Sequence, residues 1–218
     1  VALDGEDLQA LLRQPLQQAD LLEAQRRRLN GCHRIHLKST HLSARRLRLA
    51  SGLVLLFYVF SHLLNHALGL VSLAAAEAGR QVFTAFWRNG AVTVLFYGSI
   101  LLHFGLALSA LYQRRSLLMT WTELLRMVLG FLVPFLLAVH FTQTRLVHAL
   151  YGVDDTYGRN VSLMWFGDYS GWQMTLLTVA WTHGCLGVHF AFRHRAEYRR
   201  LQTAFVVAAT LLAVLAAT

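Results

Sequence analysis

Four histidines, His62, His103, His140 and His183, each stand in a separate stretch free of Asp, Glu, Lys and Arg. His62 lies 14 residues past Arg48 and His140 lies 14 past Arg126; His103 lies 11 before Arg114 and His183 lies 10 before Arg193. With those arginines on one membrane face, a helical rise of ~1.5 Å per residue puts the first pair ~21 Å deep and the second ~15–16 Å deep. Ionisable groups at such depth are expensive and are kept for function. Imidazoles facing one another in pairs inside a helical bundle are the donor set of two bis-histidine haems. One histidine in an apolar helix is as readily an interhelical hydrogen bond as a ligand. Four on successive helices, matched in depth, argue for ligation.

Positioning such groups takes long apolar helices, and the sequence supplies them. It is 56% hydrophobic and 14% charged, with mean hydropathy +0.44. Charge-free segments run over 49–76, 89–113, 127–144, 169–192 and 201–218, each near the ~20 residues that cross a bilayer. The expected fold is an all-α membrane protein, a five-transmembrane-helix bundle with four haem-ligating helices. The helices are expected near 48–75, 91–113, 124–150, 171–193 and 202–218, following a basic amphipathic segment over residues 1–45. Pro134, six residues before His140, should kink the third helix. Residues 76–90, with Phe83, Phe86 and Trp87, and residues 152–170 read as outer loops.

The net charge of +9 suggests nucleic acid only until its distribution is seen. Arginines collect beside helix ends, at 45, 46 and 48, at 114 and 115, and at 193, 195, 199 and 200. That orients the chain, with its N-terminus and the 2–3 and 4–5 connections cytoplasmic. Cys32 and Cys185 form no CxxC motif and no disulfide framework. Residues 1–45 hold no apolar core of a signal peptide. The chain starts at Val1 without methionine and stops in an apolar run at Thr218, as a piece of a longer protein would.

Other groups compete for roles. His66, one turn after His62 on the same face, is an equal candidate ligand; a zinc site from the two lacks a third donor. Gly105 and Gly184 adjoin His103 and His183, where a flat macrocycle must approach backbone. His189, near the cytoplasmic boundary, suits a propionate or headgroup. Arg145, His148, Tyr151, Asp154, Asp155 and Tyr157 form the densest polar cluster on the outer side, a quinone site or a solvated loop.

SGLVLLFYVFSH (51–62), RMVLGFLVPFLLAVHFTQTRL (126–146) and THGCLGVHF (182–190) resemble the dihaem cytochrome b anchors of succinate and fumarate:quinone oxidoreductases. That resemblance covers about residues 46–218 and implies two haem b groups, ligated by His62 with His140 and by His103 with His183, and a quinone partner. RRLRLASGLVLLF (45–57), SHLLNHALGLVSL (61–73) and HALYGVDDTYGRN (148–160) are similar to the branch that anchors redox-regulated bacterial class III adenylate cyclases. The implied protein is a multi-pass component of a bacterial inner membrane, tied to a cyclase and a ferredoxin-like domain, and compatible with homodimer formation. No cyclase catalytic segment occurs in this span, and a cytoplasmic cyclase would need a sixth helix after Thr218. An oxidoreductase anchor subunit and a haem-free histidine-bearing transporter are the alternatives.

Overall fold

In the computed structural model, residues 43–217 are described, apart from Arg115 and Leu117. The chain divides into two units, Val1–Leu47 and Arg48–Thr218. Of the first, residues 43–47 are described and are helical; the amphipathic segment expected over 1–45 therefore lies almost wholly outside the described residues. The regular elements of the second unit are all helices, with no strand among the described residues.

Its elements are α1 (Ser43–Leu70), α2 (Leu73–Trp87), α3 (Gly90–Tyr112), α4 (Trp121–Tyr151), α5 (Tyr157–Phe166), α6 (Ser170–Phe192) and α7 (Ala196–Ala217). Four of them, α1, α3, α4 and α7, are long and apolar enough to cross a membrane. Their outward side chains are large and apolar, with Leu101 76%, Val94 74% and Phe135 73% exposed, while Ser51, Asn65, Ser99 and Asp155 are buried. Apolar outside and polar within is the arrangement a lipid solvent selects, since water would penalise each exposed apolar side chain. All-helical in its described residues and with four such spans, the chain is a multi-pass membrane protein. The expected fourth span, α6, has 23 residues but is diluted by Gln173, Thr175, Thr178, Thr182, His183 and His189.

Both outer connections are helical where loops were expected. Ser72 ends the α1 segment at Leu70, short of residue 75, because its side chain accepts from the N–H of Ala75 (3.0 Å) and starts α2. On α2, Phe83 and Trp87 share one face and pack on Tyr58 of α1, with ring centroids 5.4 and 5.0 Å away. The Trp87 indole N–H donates to Ser61 (3.1 Å). Periodicity at 83 and 87 is helical, but the short segment between two spans hid it. The last helix begins at Ala196 rather than 202, so its first turns carry Glu197, Arg199 and Arg200.

Thr120 caps α4 by accepting from the N–H of Glu123, and Gly152, at φ 63°, ends it in the left-handed region that favours glycine. Between these ends α4 continues through Pro134, which leaves the Gly130 carbonyl without its helical donor. Just past His140, residues Thr142–Leu146 widen into a π-helical turn, a feature that often marks functional sites. α4 packs closely against α6, and α2 packs against α5 as well as the end of α1.

The α1–α2 joint depends on Gly79. A β-carbon there would strike Asn65 Oδ1 and come within 2.5 Å of Leu68 Cδ1. Gly79→Ala should lower stability by about 1–3 kcal/mol, read as an earlier thermal unfolding transition in detergent.

Candidate functional site

The helices bring the four histidines together as two pairs. His103 of α3 and His183 of α6 have ring centroids 6.3 Å apart and planes at 87°. His62 of α1 and His140 of α4 are 5.7 Å apart at 72°. A metal–imidazole bond of about 2 Å on each side, plus the ring half-widths, puts two trans imidazole centroids roughly 6 Å apart. Both pairs fit that spacing.

The inner pair is held by main chain. His103 Nδ1 lies 3.0 Å from the carbonyl oxygen of Arg48, and His183 Nδ1 lies 2.9 Å from that of Arg126. A carbonyl only accepts, so each ring carries its proton on Nδ1 and leaves Nε2 with a free lone pair. Metal-ligating histidines are oriented in this way. One turn further along each helix stands a glycine. A β-carbon on Gly52 would lie 2.8 Å from His103 Cε1, and one on Gly130 would lie 2.5 Å from His183 Cε1. Nothing larger than glycine leaves the rings where they are.

The glycines that adjoin the histidines in the chain are placed differently. A β-carbon on Gly105 would meet nothing within 4 Å, and one on Gly184 would lie 2.7 Å from Leu56 Cδ1 of α1; neither glycine lies against the ring of its neighbouring histidine. The glycines that do are ten residues before His62 and ten before His140, a repeat visible in the sequence as Arg48-x3-Gly52-x9-His62 and Arg126-x3-Gly130-x9-His140. The inner depth of ~15–16 Å is also revised. His103 sits level with Gly52, four residues or ~6 Å beyond Arg48, because Arg48 and Arg114 do not stand at one height: α3 runs on to Tyr112. The two pairs are thus separated by the ten residues from Gly52 to His62, ~15 Å along α1.

The outer pair borders a cavity of about 200 Å³, lined by His62, His66, His140, Asn65, Phe83 and Gln173 among others. Tyr58 stacks on His62, with centroids 5.9 Å apart and planes at 11°. His66 Nε2 is 3.3 Å from His62 Nε2, and the Tyr157 hydroxyl is 3.4 Å from His66 Nδ1. His66 is therefore at the site, beside the His62/His140 pair. Among the described residues, no group of three or more His, Cys, Asp or Glu side chains converges to hold a metal ion. A structural zinc site takes four such donors.

Of the outer polar cluster, Arg145, Asp155 and Tyr157 line the cavity, together with Arg80 and Arg88. His148 is turned away, its Nδ1–H donating to the Val153 carbonyl (2.9 Å); Tyr151 is 77% exposed, and Asp154 is exposed as well. Those three do not reach the cavity. At the other end, His189 Nδ1 is 3.3 Å from the Tyr198 hydroxyl. Sequence reasoning missed Gly52, Gly130, Gln173 and the α2 arginines, since none is remarkable without knowing which helix faces which.

A charged clasp closes the outer mouth. Asp155 receives Arg80 at 3.1 Å and also Arg88. Arg80 clasps Glu77 at 2.6 Å, and Glu77 accepts the backbone N–H of Tyr157 at 2.7 Å. The Arg80 hydrogen bond is the main reason that the Glu77 carboxyl falls to about 2, aided by the Tyr157 N–H. Burial alone would raise Asp155, but the hydrogen bond and charge of Arg88, with the charge of Arg80, outweigh it and hold the carboxyl below its ordinary value.

No family model, curated protein or solved structure matches this chain.

Both clasp carboxyls are depressed on folding, so their contribution is present above the ordinary carboxylate range and fades as pH falls through the lowered values. The clasp should survive at pH 4 and loosen toward pH 2, monitored through Trp87 fluorescence. Asp155→Asn, which leaves Arg88 without its carboxylate and Arg80 with Glu77 alone, should lower stability by about 2–3 kcal/mol at pH 7, measured by thermal unfolding in detergent.

Proposed function

We propose that this chain is a dihaem b-type membrane cytochrome. The observation that carries the reading is the pairing of four histidines at metal-bridging spacing, the inner two with Nδ1 committed to main-chain carbonyls. The residues fit the group in three further respects. Gly52 and Gly130 make the room that the His103 and His183 rings occupy, which a β-carbon would take from them. The outer cavity has an aromatic body of Tyr58, Phe83, Trp87 and Phe96. Its mouth carries Arg80, Arg88 and Arg145 against Asp155, an excess of positive charge suited to propionates. In this reading α6 is the fifth span, because His183 must lie level with Gly130 inside the bundle.

When bound, haem supplies one-electron transfer at each of two levels across the bilayer. The protein fixes the neutral tautomer of His103 and His183, excludes bulk water with α2 and α5, and balances charge at the outer mouth. The redox partner we assign is a lipid quinone, whose two carbonyls take up two protons on reduction. Arg145, Asp155 and Tyr157, with His66 behind them, are the polar groups that would meet its headgroup.

The resemblance of residues 45–73 and 148–160 to cyclase anchors supports a regulatory role. The redox or quinone state of this bundle would bias an attached adenylate cyclase on the cytoplasmic side. A charge change of one unit within a bundle of low dielectric is comparable to allosteric couplings of ~1–3 kcal/mol. A tightly bound flavoprotein in the purified complex would instead assign the chain as an oxidoreductase anchor subunit.

The test is ligand replacement in protein from haem-sufficient cells, with haem counted per chain by pyridine haemochrome. Wild type should hold about two. His62→Ala and His140→Ala should each lose one and the same spectral component; His103→Ala and His183→Ala should each lose the other; His189→Ala should keep both. A wild-type count near zero overturns the proposal.

A further inference from the structure

The Arg-x3-Gly-x9-His repeat gives α1 and α4 equivalent registers, and one position breaks the equivalence beside the inner pair. Ser51, immediately before Gly52, corresponds to Leu129, immediately before Gly130. Ser51 is 4% exposed. Its hydroxyl donates to the Arg48 carbonyl at 3.1 Å, and its Oγ lies 3.5 Å from His103 Nδ1. His103 donates to that same carbonyl at 3.0 Å. His183 donates to the Arg126 carbonyl at 2.9 Å, and α4 offers no hydroxyl at the matching position.

We propose that Ser51 is a positioning residue that makes the two inner imidazoles unequal donors; the proposal rests on the bis-imidazole reading above. A carbonyl oxygen has two lone pairs. That of Arg48 meets the helical N–H of Gly52, the Ser51 hydroxyl and the His103 ring N–H. The serine therefore competes with His103 for its acceptor and draws electron density from that oxygen. A ring N–H bonded to a weaker acceptor keeps less negative charge on the imidazole, and Nε2 is the poorer donor. His183, whose acceptor is unshared by a hydroxyl, is the stronger donor of the two. A poorer imidazole donor stabilises the oxidised metal less, so the inner centre would be held at a higher potential than two His183-like ligands would give.

The experiment is an optical redox titration of the full holoprotein, with the inner component identified as the wave lost in His183→Ala. In Ser51→Ala the inner reduced-to-oxidised ratio at a fixed poise near its midpoint should fall several-fold, with the outer wave unmoved. Ser51→Thr, which restores a hydroxyl, should return the ratio to the wild-type value. Leu129→Ser, adding a hydroxyl beside the Arg126 carbonyl, should raise it, and this arm keeps the test decisive where Ser51→Ala fails to accumulate. An unchanged inner ratio in Ser51→Ala or in Leu129→Ser overturns the role of Ser51, as does an equal shift of both waves. Those results still require two haems per chain, whereas absence of haem from wild type defeats the underlying reading instead.

Discussion

Two main-chain carbonyls, those of Arg48 and Arg126, each take an imidazole N–H in addition to their helical duty. Much of the site's organisation follows from that constraint. An imidazole can reach a helix carbonyl only where the side chains that normally sheath the backbone are missing, and Gly52 and Gly130 provide the gaps one turn along. The carbonyls fix which ring nitrogen is protonated, and so leave the Nε2 lone pair of each ring free of a proton. Helices α1 and α4 thereby serve both levels: each gives a backbone seat to the inner pair and, ten residues later, a histidine to the outer pair. The inner site is held by backbone, the outer one by side chains from α2, α5 and α6.

That difference suits the surroundings of each pair. Toward the arginine-rich end, the rings of His103 and His183 are pinned by groups that cannot swing away. Around His62 and His140, the walls come from shorter helices joined by the Glu77–Arg80–Asp155–Arg88 clasp, and the cavity opens between them. The π-helical turn after His140 lies at the same place and carries Arg145, a charge on the cavity wall. Lipid as solvent sets the rest. Apolar side chains point outward at no penalty, so the interior is free to hold serine, asparagine, histidine and aspartate.

The sequence showed the helices and the histidines well because both signals are local. A charge-free run of adequate length is sufficient to place a membrane helix, and four of the expected spans meet that standard in the structure. Residues between spans were less legible: α2 and α5 are short, and their periodicity competes with the neighbouring apolar runs. The glycines that seat the rings were hidden for a different reason. Gly105 and Gly184 are neighbours of histidines in the chain, whereas Gly52 and Gly130 are neighbours across helices, and only packing decides between them. Depth read from flanking arginines failed at the inner pair because helices of unequal length do not end at one height. The ten-residue spacing from glycine to histidine, repeated on α1 and α4, was present in the sequence and points to Gly52 and Gly130 as the glycines beside the rings.

The central claim is that one chain builds two bis-imidazole metal centres. Low-temperature electron paramagnetic resonance of the oxidised, purified protein addresses it directly, because ligand number and type at each iron set the signal. The account predicts two low-spin ferric signals of comparable intensity, both strongly anisotropic as steeply crossed imidazole planes require. One signal should vanish in His103→Ala and the other in His140→Ala. A spectrum without low-spin ferric haem, or a single centre that survives both replacements, would contradict it.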